Sequence, residues 1–215
     1  MSAPSNWRDR FVYHFTHIDG LAKILGDGEL RCDNDVQAAG GCIEVGDQGL
    51  KATRRRTPVP CGPGGVVADY VPFYYASKSP MLLRVATGRV DYKGGEGPLV
   101  FFATTMGTVV DMSLPFVFTD GHPTAAYSEF FDDVENVSAI DWGLMGQRDW
   151  YATDADPDRQ TRRQAELLVH RSLPLEAVVT LAARSDSIAE RAKEIVTSMG
   201  YNLTVATRPD WYYNR

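Results

Sequence analysis

Apolar and polar positions alternate with a period of two over residues 11–17 (Phe-Val-Tyr-His-Phe-Thr-His), which places Tyr13, Phe15 and His17 on one face and Val12, His14 and Thr16 on the other. That pattern predicts a strand. The period then lengthens: Asp19 stands as a helix N-cap ahead of Leu21, Ile24 and Leu25, and Gly28 is placed to end the helix in a left-handed turn. Residues 32–65 show little periodicity and carry a basic cluster at Lys51, Arg54, Arg55 and Arg56. A connection that long is more often a lid or binding loop than filler, with room for a helical piece over 48–56. Residues 66–77 read as extended, although Pro72 bars an uninterrupted central strand. Pro80 suits a first helical turn, and Met81, Leu82 and Val85 give that helix an apolar face.

Short buried strands are expected at 99–103 and 116–118, with a helix at 105–110 between them. A turn at 120–123, an acidic helix at 127–135, a segment of undefined form at 140–150 and a basic helix at 158–165 follow. Strands at 166–171 and 177–182, an amphipathic helix at 187–199 and a last strand at 202–206 complete the chain. Strands outnumber long helices without alternating regularly with them, which favours an α+β fold over a doubly wound sheet.

The 215 residues suit one domain, 1–215, and 44% hydrophobic with 23% charged residues is an ordinary globular composition. No apolar run approaches the ~18 residues that span a bilayer and the N-terminus has no signal-peptide core, so a cytoplasmic protein without membrane contact is expected. The formal charge of −6 disfavours indiscriminate polyanion binding, so any nucleic-acid site has to be a local patch. Cys32, Cys42 and Cys61 show no CxxC spacing, and the four histidines complete no zinc pattern with them. Reduced thiols and no metal are the expectation.

No Walker loop, no GxGxxG after a strand and no GxSxG elbow is present. The most suggestive stretch is 159–170 (Arg-Gln-Thr-Arg-Arg-Gln-Ala-Glu-Leu-Leu-Val-His), polar and basic until Glu166 stands at the seam with an apolar strand. A carboxylate there is costly to bury unless it is paired or used. Arg162 and Arg163 are its nearest counter-charges in sequence. His14, the aromatic run 70–75, the three arginines and His122 complete a scattered set, and on periodicity alone His14 reads sooner as a core histidine than as a ligand.

Five blocks tie this set together: 13–25 (Tyr-His-Phe-Thr-His-Ile-Asp-Gly-Leu-Ala-Lys-Ile-Leu), 64–75 with Ser-Pro-Met-Leu at 79–82, 116–122 (Phe-Val-Phe-Thr-Asp-Gly-His), 163–169 (Arg-Gln-Ala-Glu-Leu-Leu-Val) and 208–213 (Arg-Pro-Asp-Trp-Tyr-Tyr). In this order they resemble the DarT family, DNA ADP-ribosyltransferase toxins paired with the macrodomain antitoxin DarG. The resemblance implies an ADP-ribosyltransferase-like split β-sheet with NAD in its cleft and thymine in single-stranded DNA as acceptor. It assigns His14, Thr16, Asp19, Leu21, Tyr74 and Met81 to NAD, with Tyr74 near the nicotinamide. Glu166 becomes the catalytic glutamate, with His122 close to the reaction centre. The family's active-site arginine falls at Arg54, one position from Arg55 and Arg56. Lys51, Arg54, Arg56 and Trp150 are implied to meet DNA, with 32–65 as the NAD- and DNA-binding loop region; Trp142 and Arg148 offer further stacking and phosphate contacts. Ser77-Lys78 replaces the family's Pro-Arg, which turns a bidentate guanidinium contact into a point charge. The expected partners are single-stranded DNA and a DarG-type antitoxin, and the expected state is a monomer. The alternatives are a transferase with a protein or RNA acceptor and a non-catalytic DNA-binding module on the same fold.

Overall fold

The computed structural model describes residues 3–213. The predicted first strand is β1 (Phe11–His17), followed by one 3₁₀ turn, Ile18–Gly20, and then α1 (Leu21–Asp27), which Gly28 closes at φ 75°. Asp19 lies within the 3₁₀ turn and does not cap α1. The ring of His17 caps the turn by accepting the Asp19 N–H at 3.2 Å, and the Asp19 carboxylate pairs instead with Arg191. A short β2 (Glu29–Arg31) pairs antiparallel with β8 (Ser172–Pro174) as a separate two-stranded sheet.

The main sheet adds β3 (Tyr70–Tyr74), β4 (Leu99–Thr105), β5 (Phe116–Thr119), β6 (Phe130–Phe131), β7 (Glu166–His170), β9 (Thr180–Ala183) and β10 (Val205–Thr207), in the order β10-β9-β4-β1-β3-β7-β5-β6. Its two halves are joined unevenly. β1 pairs with β4 from Phe11↔Thr105 to His17↔Leu99, but meets β3 only at Tyr13↔Tyr74. Pro72 accounts for the gap, because it has no N–H to give and its carbonyl accepts the Nδ1–H of His14 at 2.9 Å rather than a strand partner. A side chain occupies the place of a ladder bond, and the sheet opens into the expected split.

Apolar side chains cover both faces. Val12, Phe73, Phe102 and Leu167 join one cluster, with Ala189, Ala192 and Val196 of α8 (Asp186–Ser198) buried against it. Leu82, Phe101, Trp211 and Tyr212 belong to a second, and the Tyr212 hydroxyl lies 2.9 Å from the Leu99 carbonyl and 3.0 Å from that of Ala182; Val67, Tyr70, Val117 and Leu168 make a third, smaller one. The remaining helices are α2 (Asp33–Ala38), α3 (Gln48–Arg54), α4 (Pro80–Ala86), α5 (Met106–Asp111), α6 (Trp142–Met145) and α7 (Arg159–Arg162).

The helical piece expected within 32–65 stands there as α3, and a second helix, α2, precedes it. One expectation is corrected. The acidic stretch 127–135 is not a helix: Phe130 and Phe131 pair onto β5 as β6, with Phe131 stacked on Phe118 at 5.3 Å, and a 3₁₀ turn Val134–Ala139 follows. Burial of two phenylalanines against the sheet outweighs the local propensity.

Candidate active site

The chemistry gathers where β3 ends and β7 begins. Tyr74 and Glu166 face each other in register, and Glu166 is fully buried. Its counter-charge comes from the last residue of α3: Arg54 Nη1 lies 3.0 Å from both Oε1 and Oε2, and Nη2 lies 3.0 Å from Oε2. The helix that delivers Arg54 is itself fixed. Asp47 caps it by accepting the Leu50 N–H at 3.0 Å, and Lys51 donates to Asp33 at 2.8 Å and pairs with Glu44. Of the three adjacent arginines, Arg54 reaches Glu166, Arg55 pairs with Asp33 and Arg56 points to solvent. Arg162 and Arg163 are not the counter-charges. Arg162 is held by Asp141 and Asp156, and Arg163 donates to the carbonyls of Leu144, Gln147 and Lys78.

Two hydrogen bonds tie the turn that precedes His122 to the glutamate's backbone. The Glu166 N–H donates to Thr119 Oγ1 at 3.1 Å, and the Thr119 hydroxyl donates to the Gly121 carbonyl at 2.7 Å. The His122 Nδ1 accepts the Thr124 N–H at 3.2 Å, so its neutral ring carries the proton on Nε2. His14 has the opposite tautomer, because its Nδ1–H donates to Pro72 and leaves Nε2 as a free acceptor.

Burial sets the charge states. It pushes the Glu166 carboxyl above the ordinary carboxylate value, against the charge and hydrogen bonds of Arg54. It pushes His14 down to about 4, assisted by Lys51 and Arg54 and opposed by the bond to Pro72. It pushes His122 down to about 4 as well, with Arg54 adding to the effect. Both rings are therefore neutral near pH 7. Tyr74, stacked on Phe15 at 6.5 Å, has its hydroxyl raised by burial and then by the Glu166 charge.

The other expected residues are spread more widely. Thr16 lies on β1 beside His14, whereas Asp19 is on the surface with Arg191 and the Leu21 side chain is buried in the core, leaving only its backbone to offer a ligand. Met81 lies in the first turn of α4, after Pro80, and shares a cavity of about 460 Å³ with His122, Leu50 and Trp150. Trp150 and Trp142 are buried, the latter donating its indole N–H to the Val137 carbonyl, so neither presents a free face for a base. Tyr151, which sequence reasoning missed, is 56% exposed and stacked on Trp150 at 4.8 Å. No periodicity marks it out; only its place beside a tryptophan does. The cavity stops short of Glu166, which is sealed beneath the Arg54 guanidinium.

A split sheet with a histidine in the split, and a glutamate and a tyrosine paired across strands at its mouth, is the architecture of an NAD-dependent ADP-ribosyltransferase. The family model for DarT, described as ssDNA thymidine ADP-ribosyltransferase, matches residues 13–213. A DNA ADP-ribosyl transferase of Mycobacterium tuberculosis is 35% identical over 214 residues, 98% of this chain and 90% of that one. Thermus sp. 2.9 DarT in complex with ADP-ribosylated ssDNA aligns with a TM-score of 0.91 at 32% identity over 99% of both chains. The same protein in complex with NAD+ aligns with a TM-score of 0.87 over 99% of this chain and 100% of that one. The chain belongs to the DarT family: it is a DNA ADP-ribosyltransferase that modifies thymidine in single-stranded DNA with NAD+.

Proposed function

We propose that Glu166, Arg54 and His122 carry the transfer, with His14, Thr16 and Tyr74 holding NAD+ in the split, and that residues 1–215 work as one transferase domain. The observation that carries this reading is the Arg54–Glu166 fork beside the His122 turn. Cleavage of the nicotinamide–ribose bond sends its electron pair to nicotinamide and leaves positive charge on the ribose, as in glycoside cleavage. An ionised, immobile Glu166 steadies that charge, and immobility is what Arg54 supplies. The free Nε2 of His14 accepts a ribose hydroxyl, while Tyr74 on Phe15 offers a flat surface to the nicotinamide.

On the acceptor side the thymine N3 forms the new bond to ribose and gives up its proton. Arg54 is no base, because guanidinium keeps its protons in proteins. His122 is no base either in this tautomer, since its open nitrogen already carries hydrogen. The proton therefore passes to Glu166, and the remaining donors of Arg54 and His122 Nε2–H steady the thymine carbonyl oxygens as negative charge develops. Single-stranded DNA spares the few kcal/mol of extracting a base from a duplex. The reading extends to a cytoplasmic monomer neutralised by a DarG-type macrodomain antitoxin.

The test is mass spectrometry of thymidine-containing oligonucleotides after incubation with NAD+, for the wild type and Glu166→Ala, alongside RNA and protein pools with labelled NAD+. The expected result is an ADP-ribose mass on thymidine in the wild type alone. Label on RNA or protein but not DNA would overturn the acceptor assignment, and no nicotinamide release with any acceptor would revive the non-catalytic module.

A further inference from the structure

Glu166 opens β7, and the far end of that strand leaves the sheet through Arg171, a non-glycine residue at φ 64°. That turn carries α2. The Arg171 carbonyl accepts the Cys32 N–H at 2.7 Å and its guanidinium pairs with Asp35. Asn34 donates to the Asp69 carboxylate at 2.8 Å, and the Asp69 carbonyl accepts the Arg171 N–H at 2.8 Å. The first turn of α2 is thus fixed to the end of the strand that Glu166 begins.

α3 has no such hold through apolar packing. None of its seven residues is buried, and among the described residues none of them joins an apolar cluster. Polar contacts hold it instead: the Asp47 cap, itself paired with Arg84, the contact of Lys51 with Glu44, and two cations that reach Asp33. Lys51 Nζ lies 2.8 Å from Asp33 Oδ1 and Arg55 Nη2 lies 2.6 Å from Oδ2, so both oxygens of one carboxylate are taken. Positions four apart share a helix face. A carboxylate that engages both fixes rotation about the helix axis, and Arg54, about 100° round from Arg55, is thereby turned toward Glu166. Exposed ion pairs add little stability. A group that acts in the transition state, however, tolerates far less displacement than the fold does.

We infer that Asp33 is a positioning residue for the transfer: by gripping Lys51 and Arg55 it sets the phase of α3 and holds the Arg54 guanidinium on Glu166. The inference rests on the role given to Arg54 and Glu166 above. It closes a ring, from Glu166 along β7 to Arg171, through α2 to Asp33, and back along α3 to Arg54. Asp33 acts in this ring through Arg54 and touches neither substrate.

The test is a cycle of four proteins, the wild type, Asp33→Asn, Arg54→Lys and the double variant, read as initial rates of nicotinamide release with a thymidine-containing oligonucleotide. Asp33→Asn should lower kcat by about ten- to a hundredfold. Because the fork acts in the transition state, kcat/KM for NAD+ should fall by the same factor and KM should stay in place. On the Arg54→Lys background the same substitution should cost no more than about twofold, since the group it positions is already gone. Arg55→Ala removes one of the two grips without altering Asp33; it should give a smaller fall of the same kind, also lost with Arg54→Lys, and it decides the matter if Asp33→Asn does not fold. An equal factor on both backgrounds would reduce Asp33 to a general support of the fold and overturn the inference. Wild-type kcat in Asp33→Asn and Arg55→Ala would overturn it too, as would a raised KM at unchanged kcat, the mark of direct contact with substrate. A slow Arg54→Lys with no coupling to Asp33 sinks the positioning role alone, whereas an Arg54→Lys that turns over normally sinks the reading of the site and the positioning role with it.

Discussion

Arg54 and Glu166 stand 112 residues apart in the chain and meet in a three-contact fork at 3.0 Å around a carboxylate with no exposed surface. Removing one partner of such a pair strands the other as a buried charge, which costs far more than the pair itself contributes. Arg54→Ala should therefore lower the unfolding free energy by about 3–5 kcal/mol, and adding Glu166→Gln should recover much of it. Arg55→Ala loses only a surface pairing with Asp33 and should cost less than about 1 kcal/mol. Urea denaturation of the four proteins measures this. Arg54→Ala and Arg55→Ala of equal stability would mean that the fork is not an ion pair in the resting protein.

Turnover should separate the two partners differently. Glu166→Gln keeps the shape and loses the charge, so nicotinamide release should fall by at least about a hundredfold, the scale of losing one preorganised transition-state group. Arg54→Lys retains a charge but cannot reproduce the fork, and its rate should fall by a similar order while the protein stays folded. Near-normal turnover of Arg54→Lys would remove the dedicated role given to the guanidinium.

The acid side of the rate profile carries a sign that can be worked out. Burial holds the Glu166 carboxyl above its ordinary value, so it keeps its proton to a higher pH than a free glutamate and the neutral, inactive form appears sooner on acidification. The acid limb of kcat for nicotinamide release should lie above about 4.3, the value of an unperturbed glutamate. In Arg54→Lys the hydrogen bonds that oppose burial are weakened, so the limb should move further up. A limb that stays in place in this variant points to another titrating group.

Some of this was legible in the chain and some was not, for physical reasons. The alternation around His14 and the glycine after α1 are local signals, and β1 and Gly28 stand where they predict. Glu166 at a polar-to-apolar seam also reads locally, because burying a carboxylate is a conflict visible in the sequence itself. Its partner is not local: Arg162 and Arg163 are near in sequence, but their guanidiniums are taken by Asp141, Asp156 and backbone carbonyls. Choosing Arg54 over Arg55 and Arg56 needed the helical phase of α3, which an Asp47 cap sets and no hydrophobic period reveals. Likewise β6 is two phenylalanines in an acidic run, and only their place against Phe118 and Thr119 makes them a strand.

The two partly buried histidines should make the protein lose stability as the pH falls below 6.5. Each has a folded value of about 4 against 6.5 for a free ring, so protonation favours the unfolded chain, which binds the proton first. For groups depressed in this way the stabilising contribution is complete above pH 6.5 and is lost as pH falls toward 4. At about 1.4 kcal/mol per unit the loss has a ceiling near 3 kcal/mol for each ring, lowered by the partial access of both to water. His14→Asn keeps a donor for the Pro72 carbonyl without a titrating group, and His122→Asn removes the other. Both variants should lose less stability than the wild type between pH 7 and pH 4.5, read as the fall in denaturation midpoint, and the double variant should lose least. If all four proteins fall in parallel, neither ring is held neutral by burial, and the tautomers assigned to the two histidines lose their support.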